Sequence, residues 1–163
     1  MKQKKYFWKI NKMKFIKYIL NEIFASLTSF GSPIFYILIV LFLYRFDARL
    51  AIIIFFAEIF IELLCAGIKI IFKKERPIKQ EINTWFDIID ANSFPSIHSA
   101  RISTLAMFAI LYFNDFIIGL ISLFLMLGVG YSRIYLKRHY LFDVLGGFII
   151  GALLAYPFYY FLY

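Results

Sequence analysis

The chain has two histidines, and each stands among residues that complement an imidazole. His98 lies in FPSIHSAR (94–101), just ahead of the apolar run ISTLAMFAILYF. His139 lies in SRIYLKRHYLFD (132–143), six residues after Arg133 and four before Asp143. An i,i+4 spacing at a helix start puts His139 and Asp143 on one face. The carboxylate can take the proton of one ring nitrogen, which fixes the tautomer and leaves the other nitrogen as a lone-pair nucleophile. His98 is then placed to protonate a leaving oxygen as general acid. Lys69, Arg76 and Arg133 concentrate positive charge, and guanidinium groups grip phosphate oxygens bidentately. Ser96 and the N–H groups at the start of the following helix can hold the remaining oxygens. The chemistry expected of these parts is phosphoryl transfer through a phosphohistidine, with no metal or cofactor.

The elements that must position these groups are apolar helices. Of 163 residues, 63% are hydrophobic and 21% aromatic, with a mean hydropathy of +0.78. A chain this short has too little interior to hide so much apolar surface from water, so an integral membrane protein is expected. The helical stretches are residues 34–46, 50–72, 98–113, 116–136 and 141–163, separated by GSP (31–33), FDAR (46–49), a long polar connection over 73–97, and ND (114–115). The fold expected is all-α: a polytopic membrane bundle of five spans, or six if residues 15–30 also cross. Residues 1–30 form a basic amphipathic segment, read as an interfacial helix or a short first span. Residues 31–163 form the membrane domain. Alternating span direction brings Lys69 and Arg76, Ser96 and His98, Arg133, and His139 and Asp143 to one membrane face, whatever precedes residue 31. The stretch 98–113 reaches only about 24 Å at 1.5 Å per residue, short of the roughly 30 Å hydrocarbon core.

Three segments in order then carry a resemblance. KIIFKKERP (69–77) fits K-x6-R-P, PSIH (95–98) is similar to P-S-G-H, and SRIYLKRHYLFD fits S-R-x5-H-x3-D. Together they resemble the tripartite signature of the type 2 phosphatidic acid phosphatases, which share their site with vanadium haloperoxidases. The resemblance implies a small integral membrane lipid phosphatase. It makes His139 the nucleophile, Asp143 its partner and His98 the general acid, with Lys69, Arg76, Ser96 and Arg133 on the phosphate. The family's glycine is replaced by Ile97, which still offers its N–H but disfavours a positive φ; the expected consequence is a changed pocket with activity retained. The implied substrate is a lipid phosphate or diphosphate, such as polyprenyl diphosphate, phosphatidate or phosphatidylglycerol phosphate.

The remaining polar residues have blander expectations. Lys73, Lys74, Lys79, Lys137 and Arg138 are read as headgroup anchors, and Trp85 and Phe86 as residues at headgroup depth. Arg101 is within reach of either the phosphate or a headgroup. Glu58 and Glu62 lie inside a span, where charge faces the bundle interior; Glu62 is expected to be protonated or paired with a basic group on a neighbouring helix. Gly128, Gly130, Gly146, Gly147 and Gly151 are expected at close helix contacts. A transporter or a non-catalytic lipid-binding protein on the same fold is the alternative reading; a haloperoxidase fits the apolar composition poorly.

The net charge of +8 includes seven lysines in the first 17 residues, which suits anionic membrane lipids better than nucleic acid. With five spans, only Arg45 and Arg49 lie on the face opposite the cluster, and the positive-inside rule puts the cluster in the cytoplasm. A sixth span would turn it outward.

Overall fold

A computed structural model describes residues 2–78 and 91–163, with side chains from Met13 onward except residue 162. The described residues form six helices: α1 (Lys2–Ser29), α2 (Pro33–Tyr44), α3 (Ala48–Phe72), α4 (Ile97–Phe113), α5 (Phe116–Tyr135) and α6 (Leu141–Leu162). The polar punctuation in the sequence becomes helix caps. Ser32, Asp47 and Asp115 each accept a hydrogen bond from the backbone N–H three residues on, at 3.3, 2.9 and 2.9 Å. Each therefore satisfies one of the N–H groups that a helix start leaves without a partner.

The protein is an all-helical integral membrane bundle. α3, α5 and α6 are each long and apolar enough to cross a bilayer, while α4 has 17 residues. Large apolar side chains cover the outer surface, among them Phe55, Phe56, Leu63, Phe124, Leu153 and Phe161. The core lies between α2, α3, α4 and α6, where Tyr36, Leu50, Ile54, Ile61, Phe108 and Ala155 are buried. The segment bearing Lys79, Trp85 and Phe86 lies outside the described residues.

α4 and α6 pack most closely, and small residues permit it. A methyl group on Gly147 would lie 2.4 Å from the Ser96 carbonyl oxygen, and one on Gly151 would lie 2.2 Å from that of Ala100. Ser103 and Thr104 of α4 donate to the Phe148 and Gly151 carbonyls at 2.8 and 3.1 Å. Gly128 departs from the expectation of close contact: a methyl there would meet only Leu27, at 3.7 Å.

The N-terminal segment does not form a hairpin with α2. The two helices continue one another with a bend of 48°, and only together do they pass as a span. The end of α1 runs antiparallel to the end of α5. Phe24 stacks near Tyr131 and Tyr135, with ring centroids 5.3 and 4.3 Å away. One turn further on, Thr28 shares a 2.6 Å hydrogen bond with Ser132. The chain ahead of Phe24 thus leads away past the Tyr135 end of α5, on the side where the α5–α6 turn carries His139. Cysteines placed at Lys14 and at Lys137 should label with an impermeant reagent from the same side of sealed vesicles. The one native thiol, Cys65, is buried and will not compete. Labelling from opposite sides would restore the six-span arrangement.

Candidate active site

Three turns build the site. α3 ends at Lys73, whose left-handed backbone (φ 42°) sends the chain back over the helix end. The Ser93 N–H then donates to the Lys74 carbonyl at 2.7 Å, tying the segment before α4 to the segment after α3. α5 ends in a Schellman turn: the Lys137 N–H bonds the Ile134 carbonyl and the Arg138 N–H bonds the Arg133 carbonyl, at 2.9 and 3.0 Å. Lys137, with φ 54°, holds the left-handed position that glycine usually fills. The His139 N–H reaches the same Arg133 carbonyl at 3.2 Å, which is how residues six apart come together.

α4 starts at the same place. Ser96 caps it, accepting from the Ser99 N–H at 3.4 Å and the Ser99 hydroxyl at 2.9 Å. A serine hydroxyl used twice as acceptor still has its own proton to give. The Ser96 N–H donates to the Asp143 carbonyl at 2.9 Å, locking the start of α4 to the first turn of α6. Ile97 opens the helix with a negative φ; the only non-glycine residues with positive φ among those described are Lys73, Asn114 and Lys137. The backbone freedom of a glycine is therefore not used here, and the Ile97 side chain packs against the core cluster.

Six of the eight residues picked from the sequence converge by contact or charge. Lys69, Arg76, Ser96, Arg133, His139 and Asp143 are all buried, with Lys69 1% and Asp143 0% exposed. His98 is half-buried in the first turn of α4; its backbone carbonyl and Cβ face Gly31 at the α1–α2 break.

The His139 ring differs from expectation in one respect. Its Nδ1 lies 2.8 Å from the Ser93 carbonyl oxygen and 3.9 Å from the nearer Asp143 oxygen. A carbonyl only accepts, so Nδ1 carries the proton and Nε2 the lone pair. The tautomer expected from Asp143 is present, but the Ser93 carbonyl holds it. Asp143 instead takes Lys74 Nζ at 2.6 Å and the Tyr140 N–H at 2.8 Å, the latter being the reach-back bond of a capped helix start. Lys74 is thus no headgroup anchor. It neutralises a fully buried carboxylate and lies 4.8 Å from the centre of the Tyr140 ring. Ser93 and Lys74 were missed because one acts through its backbone and the other is one of two adjacent lysines. The only available signal was that a buried Asp143 needs a cation.

Burial pushes the His139 imidazole down to a pKa of about 2, and the cations of Arg133, Arg76 and Lys69 push in the same direction. The sign follows from the charge: each makes the imidazolium costlier than the neutral ring. His139 is then neutral at physiological pH, with its lone pair on Nε2. With two histidines in the chain, a histidine-selective 15N spectrum shows two rings. One should keep the neutral Nδ1–H tautomer from pH 5 to 8. If both rings titrate near 6.5, the arrangement described is wrong.

Arg101 reaches neither phosphate site nor headgroup. Its Nε donates to Glu58 at 2.6 Å, one terminal nitrogen pairs with Glu62, and the other donates to the Gly31 carbonyl at 3.1 Å. Glu58 is therefore paired inside the bundle, and Glu62, whose side chain is partly exposed, is paired at its edge.

The protein is thus an integral membrane helical bundle that gathers three buried cations around a neutral histidine, beside the start of a helix. The PAP2 superfamily matches residues 48–163, which hold every one of these groups, and the chain belongs to that superfamily, whose members are phosphatases. Two solved structures are similar. One is the first transmembrane PAP2 type phosphatidylglycerolphosphate phosphatase from Bacillus subtilis, at 25% identity and a TM-score of 0.72, covering 87% of this chain and 76% of that one. The other, Aquifex aeolicus LpxE, has a TM-score of 0.73 at 23% identity and covers 86% of both chains. No curated protein matches the chain significantly.

Proposed function

We propose that the protein is a membrane lipid phosphatase that releases phosphate from a lipid phosphate or diphosphate through a phosphohistidine, without a metal. The observation that carries this is the neutral, Nδ1-protonated His139 buried among Lys69, Arg76 and Arg133. In the first step Nε2 attacks phosphorus, and the bond to the lipid oxygen breaks. His98 gives that oxygen its proton and the lipid alcohol, or the lipid monophosphate from a diphosphate, departs. Water then attacks the phosphohistidine with His98 taking its proton, and inorganic phosphate leaves. Lys69, Arg76 and Arg133, with the Ser96 hydroxyl and the N–H groups of Ile97 and the first turn of α4, hold the phosphoryl oxygens as charge builds on them. Asp143, neutralised by Lys74, keeps the first turn of α6 in place.

The membrane domain is residues 31–163; of the basic segment 1–30, residues 13–29 join α2 in the first span and the lysine-rich part ahead of them lies at the surface. The setting is the plasma membrane. Polyprenyl diphosphate, phosphatidate and phosphatidylglycerol phosphate are the candidate substrates. The similarity to the phosphatidylglycerolphosphate phosphatase supports the last of them. Glu58 and Glu62, the charges inside a span that a transporter could use as an ion path, are paired with Arg101.

Phosphate release by the purified protein in lipid, with EDTA present, tests this reading on the three substrates. Release that survives EDTA ranks the substrates. A folded protein that releases no phosphate from any of them sinks the reading.

A further inference from the structure

Arg101 is a buried charge that the proposed chemistry leaves unused. It lies three residues after His98 on α4, so both share one helix face. Its guanidinium spans three elements: Glu58 and Glu62 of α3, and the Gly31 carbonyl at the α1–α2 break. Gly31 in turn sits against His98. A methyl group on Gly31 would lie 2.8 Å from the His98 carbonyl oxygen, 3.0 Å from its Cβ and 3.1 Å from Val129 of α5. The break between α1 and α2 is thus wedged between the first turn of α4 and α5.

We infer that Arg101 is a positioning residue for His98: it ties the α1–α2 break down against the first turn of α4 and so sets where the His98 imidazole stands. The inference rests on the proposed role of His98 as general acid.

The physical argument is one of geometry. A buried ion-pair cluster contributes little net stability, because desolvation of the charges offsets their attraction; what it supplies is a single arrangement of the groups it joins. Here α3 holds the guanidinium through two carboxylates, and the guanidinium holds Gly31 by a third bond. The planar fork is needed for that, since a lysine ammonium cannot make three fixed bonds in these directions. Gly31 has no side chain, so the break can lie directly on the His98 backbone. Loosening either end lets the break lift and the turn carrying His98 shift. General acid catalysis is sensitive to such shifts, because the proton must be delivered within hydrogen-bond reach of the departing oxygen.

Leaving-group dependence reads out this role. An acid matters for an alkoxide leaving group and hardly at all for a nitrophenolate, which departs without a proton. The experiment compares phosphatidate with a nitrophenyl phosphate bearing a decyl chain, for wild type, His98→Ala, Arg101→Lys and Gly31→Ala. Arg101→Lys should lose about 10- to 100-fold in kcat on phosphatidate, a part of the general-acid contribution, and no more than about 3-fold on the nitrophenyl ester. Gly31→Ala should show the same split, and it decides the matter if Arg101→Lys fails to fold. His98→Ala sets the limit. Equal losses on both esters, or no loss on either, would overturn the inference while leaving the proposed function standing. Should phosphatidate not be hydrolysed, the active one of the other two candidate substrates takes its place; folded wild-type protein that hydrolyses none of the three overturns both.

Discussion

Replacing His139 with alanine should lower phosphate release by roughly 10⁴-fold or more, the scale seen when a covalent nucleophile is removed. The substitution deletes the only ring nitrogen among Lys69, Arg76 and Arg133 that carries a lone pair. It leaves the three cations in place, so substrate should still bind. The loss should therefore fall on kcat, with KM little changed. Because the ring is buried and bonded to the Ser93 carbonyl, its loss also leaves a cavity and an unsatisfied acceptor. Thermal unfolding in detergent must accompany the assay. His139→Gln retains most of the volume and a donor for Ser93, and it should be as inactive as the alanine variant. Trapped phosphoenzyme supplies the second check: wild type quenched during turnover with labelled substrate should carry base-stable, acid-labile label, and neither variant should carry any. Either variant retaining a tenth of wild-type activity would exclude His139 as nucleophile.

Asp143→Asn should lower kcat by about 10- to 100-fold, typical of removing the outer partner of a functional histidine. The size of that number discriminates between two geometries. Where a carboxylate itself holds the histidine tautomer, the same substitution costs about 10⁴-fold, because the ring turns over. Here the Ser93 carbonyl holds Nδ1–H at 2.8 Å and Asp143 stands 3.9 Å off, so the tautomer survives the change. The asparagine oxygen can still accept from the Tyr140 N–H. What is lost is the charge that Lys74 neutralises and that stands nearest the imidazolium-like phosphohistidine. Lys74→Met should therefore be strongly non-additive with Asp143→Asn, since the two single changes disrupt one ion pair. A 10⁴-fold loss in Asp143→Asn would show that the carboxylate, and not Ser93, sets the tautomer in the working enzyme.

Much of this was legible in the residues because it depends on local pattern. Apolar runs broken at GSP, FDAR and ND specify the helices and their caps, since a helix start needs a side-chain acceptor and a turn needs residues that tolerate it. Alternation of span direction specifies which helix ends share a face. Residue type specifies the chemistry, because only a few side chains can attack phosphorus, deliver a proton or hold a dianion. Those three facts suffice to choose His139, His98, Asp143, Lys69, Arg76, Ser96 and Arg133 and to place them on one side of a membrane bundle.

Contacts between segments far apart in the chain were not legible. The Ser93 carbonyl reaches His139 across 46 residues, and every residue has a carbonyl, so no side chain announces it. Lys74 was chosen over its neighbour Lys73 by the left-handed turn at the end of α3. Arg101 found Glu58 and Glu62 rather than a phosphate because α3 packs against α4 with those faces together. The bend of the first two helices into one path came from α1 docking on α5 through Phe24 and Thr28. Sequence alone determined the membrane bundle and singled out the candidate reacting groups at one face, since periodicity and residue type are local. Only the tertiary structure decided which partner each buried charge and ring nitrogen takes, since that depends on close approach of backbones brought together by packing.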